Sequence, residues 1–298
     1  MNFQSKKSKN KRDPSMPKGR QLDDISIKEV LIVIGDLPIQ RDLLIEALHL
    51  LQDHFNCLDV RHLRAVAEIF GLSQAEVYEV ASFYHHFDIV VEGENSPPPL
   101  TVRVCDGLSC EMAGALPLVS SLEKKLDFNK VRLQKVPCIG RCANAPVAQV
   151  GKRAVDNAST QKILRASEGS VEPIIPKYQT LNNYITEGGY RCLQNIIEGN
   201  LSFEQATSIL EKSGLRGLGG AGFPSGKKWN FVHGYNEPRL MTINGDEGEP
   251  GTFKDRFWLE RQPHKMLEGA QIAAQLVGCK KIYLYMRDEY PAVLEILK

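Results

Sequence analysis

The segments LTVRVCDGLSC (residues 100–110) and VRLQKVPCIGRC (residues 131–142) are built alike: a strand-like run leads into a pair of cysteines. Each run reads as a strand, and in LTVRVC apolar residues at every second position suit a pleated surface with one buried face. The pairs, C-x4-C at Cys105 and Cys110 and C-x3-C at Cys138 and Cys142, then fall at strand C-terminal ends. Strand ends of one α/β sheet converge on a common edge, so both pairs can face one site. A helix is expected between the runs, from about Ser109 to Leu126. VAQVGKRAV (147–155) reads as a hairpin turning at Gly151, and a last helix runs near Ser159 to Ala166. Together these make a small α/β domain of roughly thioredoxin size, taken as residues 96–168.

Four clustered thiols suit Zn²⁺ or an iron–sulfur cluster. The spacings are wider than the Cys-x2-Cys knuckle common in zinc sites, and the thiols sit in loops rather than a ribbon, which favours [2Fe–2S]. Zinc, and unligated or disulfide-bonded thiols, stay open as alternatives. Gly107, Pro137 and Gly140 shape turns that bring backbone N–H groups near the sulfurs, one lever on reduction potential. The other three of the seven cysteines, Cys57, Cys192 and Cys279, are isolated. An odd, sparse set argues against a secreted disulfide scaffold.

Upstream, residues 1–25 hold Lys6, Lys7, Lys9, Lys11, Arg12, Lys18 and Arg20 with little that is apolar, and read as a solvated basic tail. Residues 26–95 have helical periodicity. Leu43, Leu44, Ala47, Leu48 and Leu51 recur at helix spacing, followed by Leu63, Val66, Ala67 and Phe70. Gly71 stops one helix, and Ser73 with Glu76 forms a capping box for the next. His54, His62, His85 and His86 share no metal-ligand spacing and are expected at the surface or at helix ends.

Downstream, a Pro-bearing linker (169–180) leads to residues 181–298, where helical FEQATSILEKSG precedes the glycine-rich GLRGLGGAGFPSGKKW. Gly217, Gly219 and Gly222 spell G-x-G-x-x-G, but a dinucleotide fingerprint needs a strand before it, and here a helix stands there. A Walker A loop fails too, because Lys227 is followed by Lys228 rather than Ser or Thr. What is left is a glycine-lined loop that can offer N–H groups to a phosphate, with Lys227 and Lys228 as charge, or a tight turn without a ligand. After the strand RLMTIN, the loop GDEGEPGTFKDR concentrates Asp246, Glu247, Glu249 and Asp255 at a strand end. Carboxylates there suit ribose hydroxyls or the N–H edge of a flavin ring, unless the loop is a solvated turn. A helix near Pro263–Leu276, the strand KIYLYM and a helix from about Tyr290 follow. The chain stops at Lys298 inside that apolar pattern, and is expected to be the front part of a longer polypeptide.

The cysteine quartet and the preceding helices, with ASFYHHF, resemble the E subunit of bacterial complex I, a thioredoxin-like [2Fe–2S] protein. RGLGGAGFPSGKKW and NGDEGEPGTFKDR resemble the opening of its F subunit, the FMN- and NADH-binding flavoprotein. Both on one chain resemble the β subunit of NAD-dependent, molybdenum- or tungsten-containing formate dehydrogenases, and RDLLIEALHLLQDHF looks closer to these than to the sister fusion in NAD-reducing hydrogenases. The resemblance implies an α/β fold with a helical bundle, a thioredoxin-like [2Fe–2S] domain and the start of an FMN/NADH-binding domain. It implies that Cys105, Cys110, Cys138 and Cys142 ligate the cluster, and that the glycine loop (Gly217, Gly219, Gly220, Gly222), Lys228, Asn244, Asp246 and Glu247 hold FMN. Phe223 and Phe231 would flank NADH, and Glu249, the candidate catalytic residue, would meet its ribose or carboxamide. Leu218 departs from the family, which usually has arginine there. The family's later flavin segments and the cysteines of its [4Fe–4S] cluster are not in this sequence. The implied partners are NAD(H) and a molybdenum or tungsten formate dehydrogenase subunit, or another iron–sulfur subunit.

Composition sets outer bounds. With 42% hydrophobic and 24% charged among 298 residues, the chain is ordinary globular material, long enough for about two domains. Lys+Arg 37 against Asp+Glu 36 leaves a formal charge of +1, so no global field draws nucleic acid or an anionic membrane. No apolar run nears the roughly 18 residues of a membrane span and no signal peptide opens the chain, so a cytoplasmic location is expected. Three function classes follow: an electron-transfer enzyme subunit, a non-catalytic [2Fe–2S] relay or assembly module, and a zinc-binding scaffold.

Overall fold

The computed structural model describes residues 19–84, 86–91 and 93–298. The basic residues before Gly19, and His85, lie outside that range. The chain forms two compact units that divide between Pro99 and Leu100.

The first unit packs helices α1 (Asp24–Ile34), α2 (Leu44–Phe55), α3 (Val60–Ile69) and α4 (Gln74–Phe83) around Val30, Leu48, Leu51, Val66 and Val77, none of which is exposed to solvent. Helix starts follow from capping. Asp59 accepts the Arg61 N–H at 2.8 Å before α3. Ser73 and Glu76 cap α4 reciprocally, with Glu76 N–H donating to Ser73 Oγ at 3.2 Å and Ser73 N–H to Glu76 Oε2 at 2.9 Å. Two short strands, β1 (Leu58–Asp59) and β2 (Ile89–Val90), pair in parallel, an element too brief for periodicity to show. His62 departs from expectation: it is buried. It lies beside Leu63 on the inward face of α3, where its ring stacks on Phe55 at 4.4 Å and Nε2 meets Glu29 Oε2 at 2.8 Å. The aromatic contact and the carboxylate at Nε2 accompany the burial of a ring that the sequence pattern places outside, and its Nδ1 is buried without a hydrogen-bond partner.

The second unit opens with a four-stranded sheet of β3 (Leu100–Cys105), β4 (Val131–Val136), β5 (Ala148–Val150) and β6 (Arg153–Val155), in the order β4-β3-β5-β6. β4 runs parallel to β3, β5 antiparallel to β3, and β6 antiparallel to β5, with the hairpin turning at Gly151. The segment expected as one helix is two, α5 (Leu108–Met112) and α6 (Ala115–Glu123). Gly114 breaks it with φ 96°, a left-handed conformation that glycine adopts without strain. Helix α7 (Thr160–Glu168) covers the sheet, and Val102, Val104, Leu122, Ala148, Val150 and Ile163 form its solvent-free core.

Residues 169–180 carry no regular element. Four helices follow: α8 (Leu181–Thr186), α9 (Arg191–Ile197), α10 (Phe203–Ser213) and α11 (Ser225–His233). The first two, each under eight residues, are too short for a helical period to identify. Strand β7 (Arg239–Gly245) then leads through α12 (Lys254–Leu259) and α13 (Pro263–Val277) to β8 (Cys279–Met286) and α14 (Pro291–Leu297). β7 and β8 pair in parallel, and parallel pairing requires a crossover such as α13. Residues 100–168 and 181–298 lie in one compact unit.

Candidate functional site

Strand register explains how the cysteines meet. Cys105 at the end of β3 is the partner of Val136 at the end of parallel β4, so the following loops leave the sheet side by side. Cys138 and Cys142 Sγ atoms lie 3.2 Å apart. Cys110 hydrogen-bonds Cys105 and feels the charge of Cys142. Gly107 sits between the pairs: a Cβ there would lie 3.5 Å from Cys105 Sγ and 3.6 Å from Cys138 Cβ. Cys105, Cys110 and Cys138 are buried and Cys142 is half-buried.

The environment of these thiols fits a bound metal–sulfur group. Burial, then the neighbouring Cys105, pushes the Cys110 thiol up to about 12, against a hydrogen bond from Val147. Burial, then Cys142, pushes Cys138 up to about 11. Buried thiols become ligands only as thiolates, when a bound cation shares their charge. Backbone donors are already placed for that state: Gly107 N–H reaches Cys105 Sγ and Gly140 N–H reaches Cys138 Sγ, both at 3.4 Å. A third comes from far along the chain, where Gly251 N–H in the acidic loop donates to Cys142 Sγ at 3.2 Å.

That last contact belongs to a larger junction that local sequence pattern does not reveal. Arg256 in α12 donates through Nε to the Gly140 carbonyl at 3.2 Å and through Nη1 to Glu260 Oε2 at 2.8 Å. Arg287, just after β8, donates to the carbonyls of both Cys138 and Glu247. Tyr290 is buried against Gly140, and its hydroxyl donates to Glu247 Oε2 at 3.2 Å. Arg287 and Tyr290 lie in RDEYP, directly after a strand, and a strand's C-terminal end marks them as candidates just as it marks the acidic loop.

Arg141, between Cys138 and Cys142, donates from Nε and an Nη to Asp156 at 2.6 and 2.8 Å, and Asn144 adds a bond at 3.0 Å. Burial works to raise the Asp156 carboxyl, but the Arg141 bonds and charge prevail and hold it below the usual carboxylate range. A lowered carboxylate stabilises the fold above its ordinary pKa near ~3.9, and that contribution is lost as pH falls through the lower native value. Arg141→Met will cost about 2 kcal/mol or more, somewhat under the ~3–5 of a fully buried pair because Asp156 is one-third exposed. Urea denaturation at pH 7 and pH 3 checks this: the gap between variant and parent narrows at the lower pH.

The glycine loop is pinched at its base by Gly217 N–H donating to the Phe223 carbonyl and Ser225 N–H to the Leu215 carbonyl, each at 2.9 Å. Its tip is open, since a Cβ on Gly219, Gly220 or Gly222 would meet nothing within 4 Å. Phe223 and Phe231 sit together beside it, exposed, with ring centroids 6.1 Å apart. Lys228 is exposed on α11. Gly226 is a packing glycine, where a Cβ would press on Glu211 at 2.6 Å and the Thr207 carbonyl at 3.0 Å. In the acidic loop Asn244, Asp246 and Glu249 are exposed, and Asn244 Oδ1 accepts the Asp246 N–H at 3.0 Å. Glu247 turns inward instead. Its carboxylate accepts the Asp255 and Arg256 N–H groups at 2.9 and 3.1 Å, at the start of α12. A cavity of about 330 Å³ lies at the end of β7, lined by Asn244, Gly245, Asp255, Trp258, Met266 and Met286 among others. Of the residues expected to hold FMN, Asn244 alone lines it.

Comparison with known proteins agrees with this division. Residues 31–168 match the thioredoxin-like [2Fe-2S] ferredoxin family, and residues 210–298 the Nuo51 FMN-binding domain. The F subunit of NADH-quinone oxidoreductase from Aquifex aeolicus (strain VF5) is 45% identical over 123 residues, 41% of this chain and 28% of that protein. The NAD-reducing hydrogenase HoxS subunit alpha of Cupriavidus necator is 30% identical over 252 residues, 74% of this chain and 41% of the relative. A crystal structure of an NAD⁺-reducing [NiFe]-hydrogenase in the H2-reduced state superimposes with a TM-score of 0.68 at 26% identity, covering 86% of this chain and 46% of that one. The chain spans less than half the length of each of these relatives. It joins a thioredoxin-like [2Fe–2S] ferredoxin domain to the first part of an FMN-binding domain, and the latter is similar to the F and 51 kDa subunits of NADH-quinone oxidoreductases.

Proposed function

We propose that this chain is the electron-transfer subunit of an NAD-dependent oxidoreductase. The observation that carries the reading is the Gly251 N–H bond to Cys142 Sγ, a direct contact between the acidic loop and the cysteine quartet. When bound, a flavin exchanges hydride with NAD(H) and single electrons with a [2Fe–2S] cluster; the protein's part is placement. Cys105, Cys110, Cys138 and Cys142 would hold the cluster. Gly219, Gly220 and Gly222 leave a backbone surface open to a phosphate, with Lys228 as charge and Gly217 closing the loop base. Asn244 and Asp246 present polar edges to a flavin, Phe223 and Phe231 an aromatic face to the nicotinamide nucleotide, and Glu249 a carboxylate to its ribose or carboxamide. Glu247 acts at one remove, by fixing the acidic loop to α12.

The partner that gives or takes electrons is, on the segment RDLLIEALHLLQDHF, a molybdenum or tungsten formate dehydrogenase subunit. The likeness to the hydrogenase subunit across both halves of the chain supports a hydrogenase as the second reading. Reduction of NAD⁺ by the purified complex with formate, and separately with H2, distinguishes the two.

Glu249→Ala in the purified complex will raise the KM for NADH about tenfold, the loss of one charged hydrogen bond, with bound flavin unchanged. Steady-state kinetics beside flavin absorbance checks it. Loss of FMN would move Glu249 to the flavin's own contacts.

A further inference from the structure

The junction beneath the cysteines carries a charge that the ligand set does not explain. Arg287 has an 8% exposed side chain. One guanidinium nitrogen donates to the carbonyl of Cys138, another to the carbonyl of Glu247, and Nε donates to Glu289 Oε2 at 3.0 Å. Its guanidinium carbon lies 5.4 Å from the centre of the buried Tyr290 ring. Burial opposes this charge, yet the Glu289 carboxylate outweighs burial and keeps the guanidinium firmly protonated. Arg287 is thus a permanent cation in a desolvated pocket, bonded to the backbone of a cluster cysteine. Glu289, 13% exposed, is its one opposing charge within ion-pair distance among the described residues.

The chemistry of the cluster makes that charge consequential. A [2Fe–2S] centre held by four thiolates takes up one electron on reduction and becomes one unit more negative. A fixed cation nearby in a low-dielectric site favours the more negative state, and a fixed anion opposes it. The guanidinium carries the same charge in both states, because it does not deprotonate.

We infer that Arg287 is a positioning and charge-tuning residue for the cluster. It raises the cluster's reduction potential, Glu289 trims that effect, and its two carbonyl bonds fix the cluster loop to the acidic loop. The inference rests on the [2Fe–2S] reading and extends it to residues outside the ligand set.

The test is an EPR-monitored redox titration of the whole chain, poised with dithionite, with iron counted in each sample. Arg287→Gln will lower the ratio of reduced to oxidised cluster about tenfold at a fixed solution potential, which for one electron is about 59 mV. Arg287→Lys keeps the charge and will restore most of the difference. Glu289→Gln will shift the ratio the other way. Unmoved potentials in Arg287→Gln and Glu289→Gln at full iron content would overturn the inference, as would a fall in Arg287→Lys as large as in Arg287→Gln. If Arg287→Gln fails to retain iron, Glu289→Gln decides, and no rise there overturns it. Absence of a reduced-cluster signal in the unmodified chain defeats the [2Fe–2S] reading itself, a distinct result.

Discussion

Cys138→Ser will strip the chain of its cluster: iron falls from about two per chain to a small fraction of that, and the reduced-state EPR signal disappears. Cys138 is buried, 3.2 Å from Cys142, in a loop shaped by Gly140 and Pro137. A serine oxygen is a poorer ligand for iron than a thiolate, and it sits closer to its own Cβ, so it cannot span the same site. Because Arg287 binds the backbone carbonyl of Cys138 and not its side chain, the junction with the acidic loop survives the change. The loss is therefore local, and far-ultraviolet circular dichroism stays near that of the parent. Cys192→Ser, at an exposed thiol away from the quartet, is the control and leaves iron content alone. Full iron in Cys138→Ser would remove that residue from the ligand set.

Gly140→Ala will destabilise the second unit by about 3 kcal/mol or more. Two independent costs meet at this residue. Its φ of 70° is left-handed, which costs a residue with a Cβ about 1–3 kcal/mol. A Cβ there would collide with the Tyr290 hydroxyl oxygen and lie 2.5 Å from Cε1, far inside contact distance. Tyr290 cannot retreat, since it is 2% exposed and hydrogen-bonded to Glu247. Relief has to come from the backbone that carries Cys138 and Cys142, so cluster content falls together with stability. Paired with Tyr290→Ala, the change costs much less than the sum of the two alone, because the collision is gone and only the backbone cost is left. Thermal denaturation of the four members of the cycle checks this, and additive effects would show that the clash does not govern the site.

The cysteine half was largely legible because local pattern and topology agree there. The runs LTVRVC and VRLQKV form β3 and β4, and parallel register does the rest by setting Cys105 beside Val136. The single long helix expected after Ser109 failed at Gly114, where a left-handed residue breaks it; an isolated glycine in a helical pattern leaves that outcome open. His62 was misplaced for a related reason, since the Glu29 carboxylate that makes its burial tolerable lies 33 residues away. The flavin half showed its motifs more readily than their neighbours. NGDEGEPG announced a ligand-facing loop, but nothing local distinguishes Glu247, which faces inward to α12, from Asp246 and Glu249, which face solvent. Least legible was the junction. Gly251 meets Cys142 across 109 residues and Arg287 meets Cys138 across 149, and neither contact has a periodicity that a single sequence can show.

The most direct test of the central claim is the metal and flavin content of the anaerobically purified chain, with an EPR spectrum after dithionite. An electron-transfer role predicts about two irons per chain and a reduced [2Fe–2S] signal. Zinc in their place, or no metal and no signal, would contradict it and leave the likeness to the NADH-oxidoreductase family as one of descent alone.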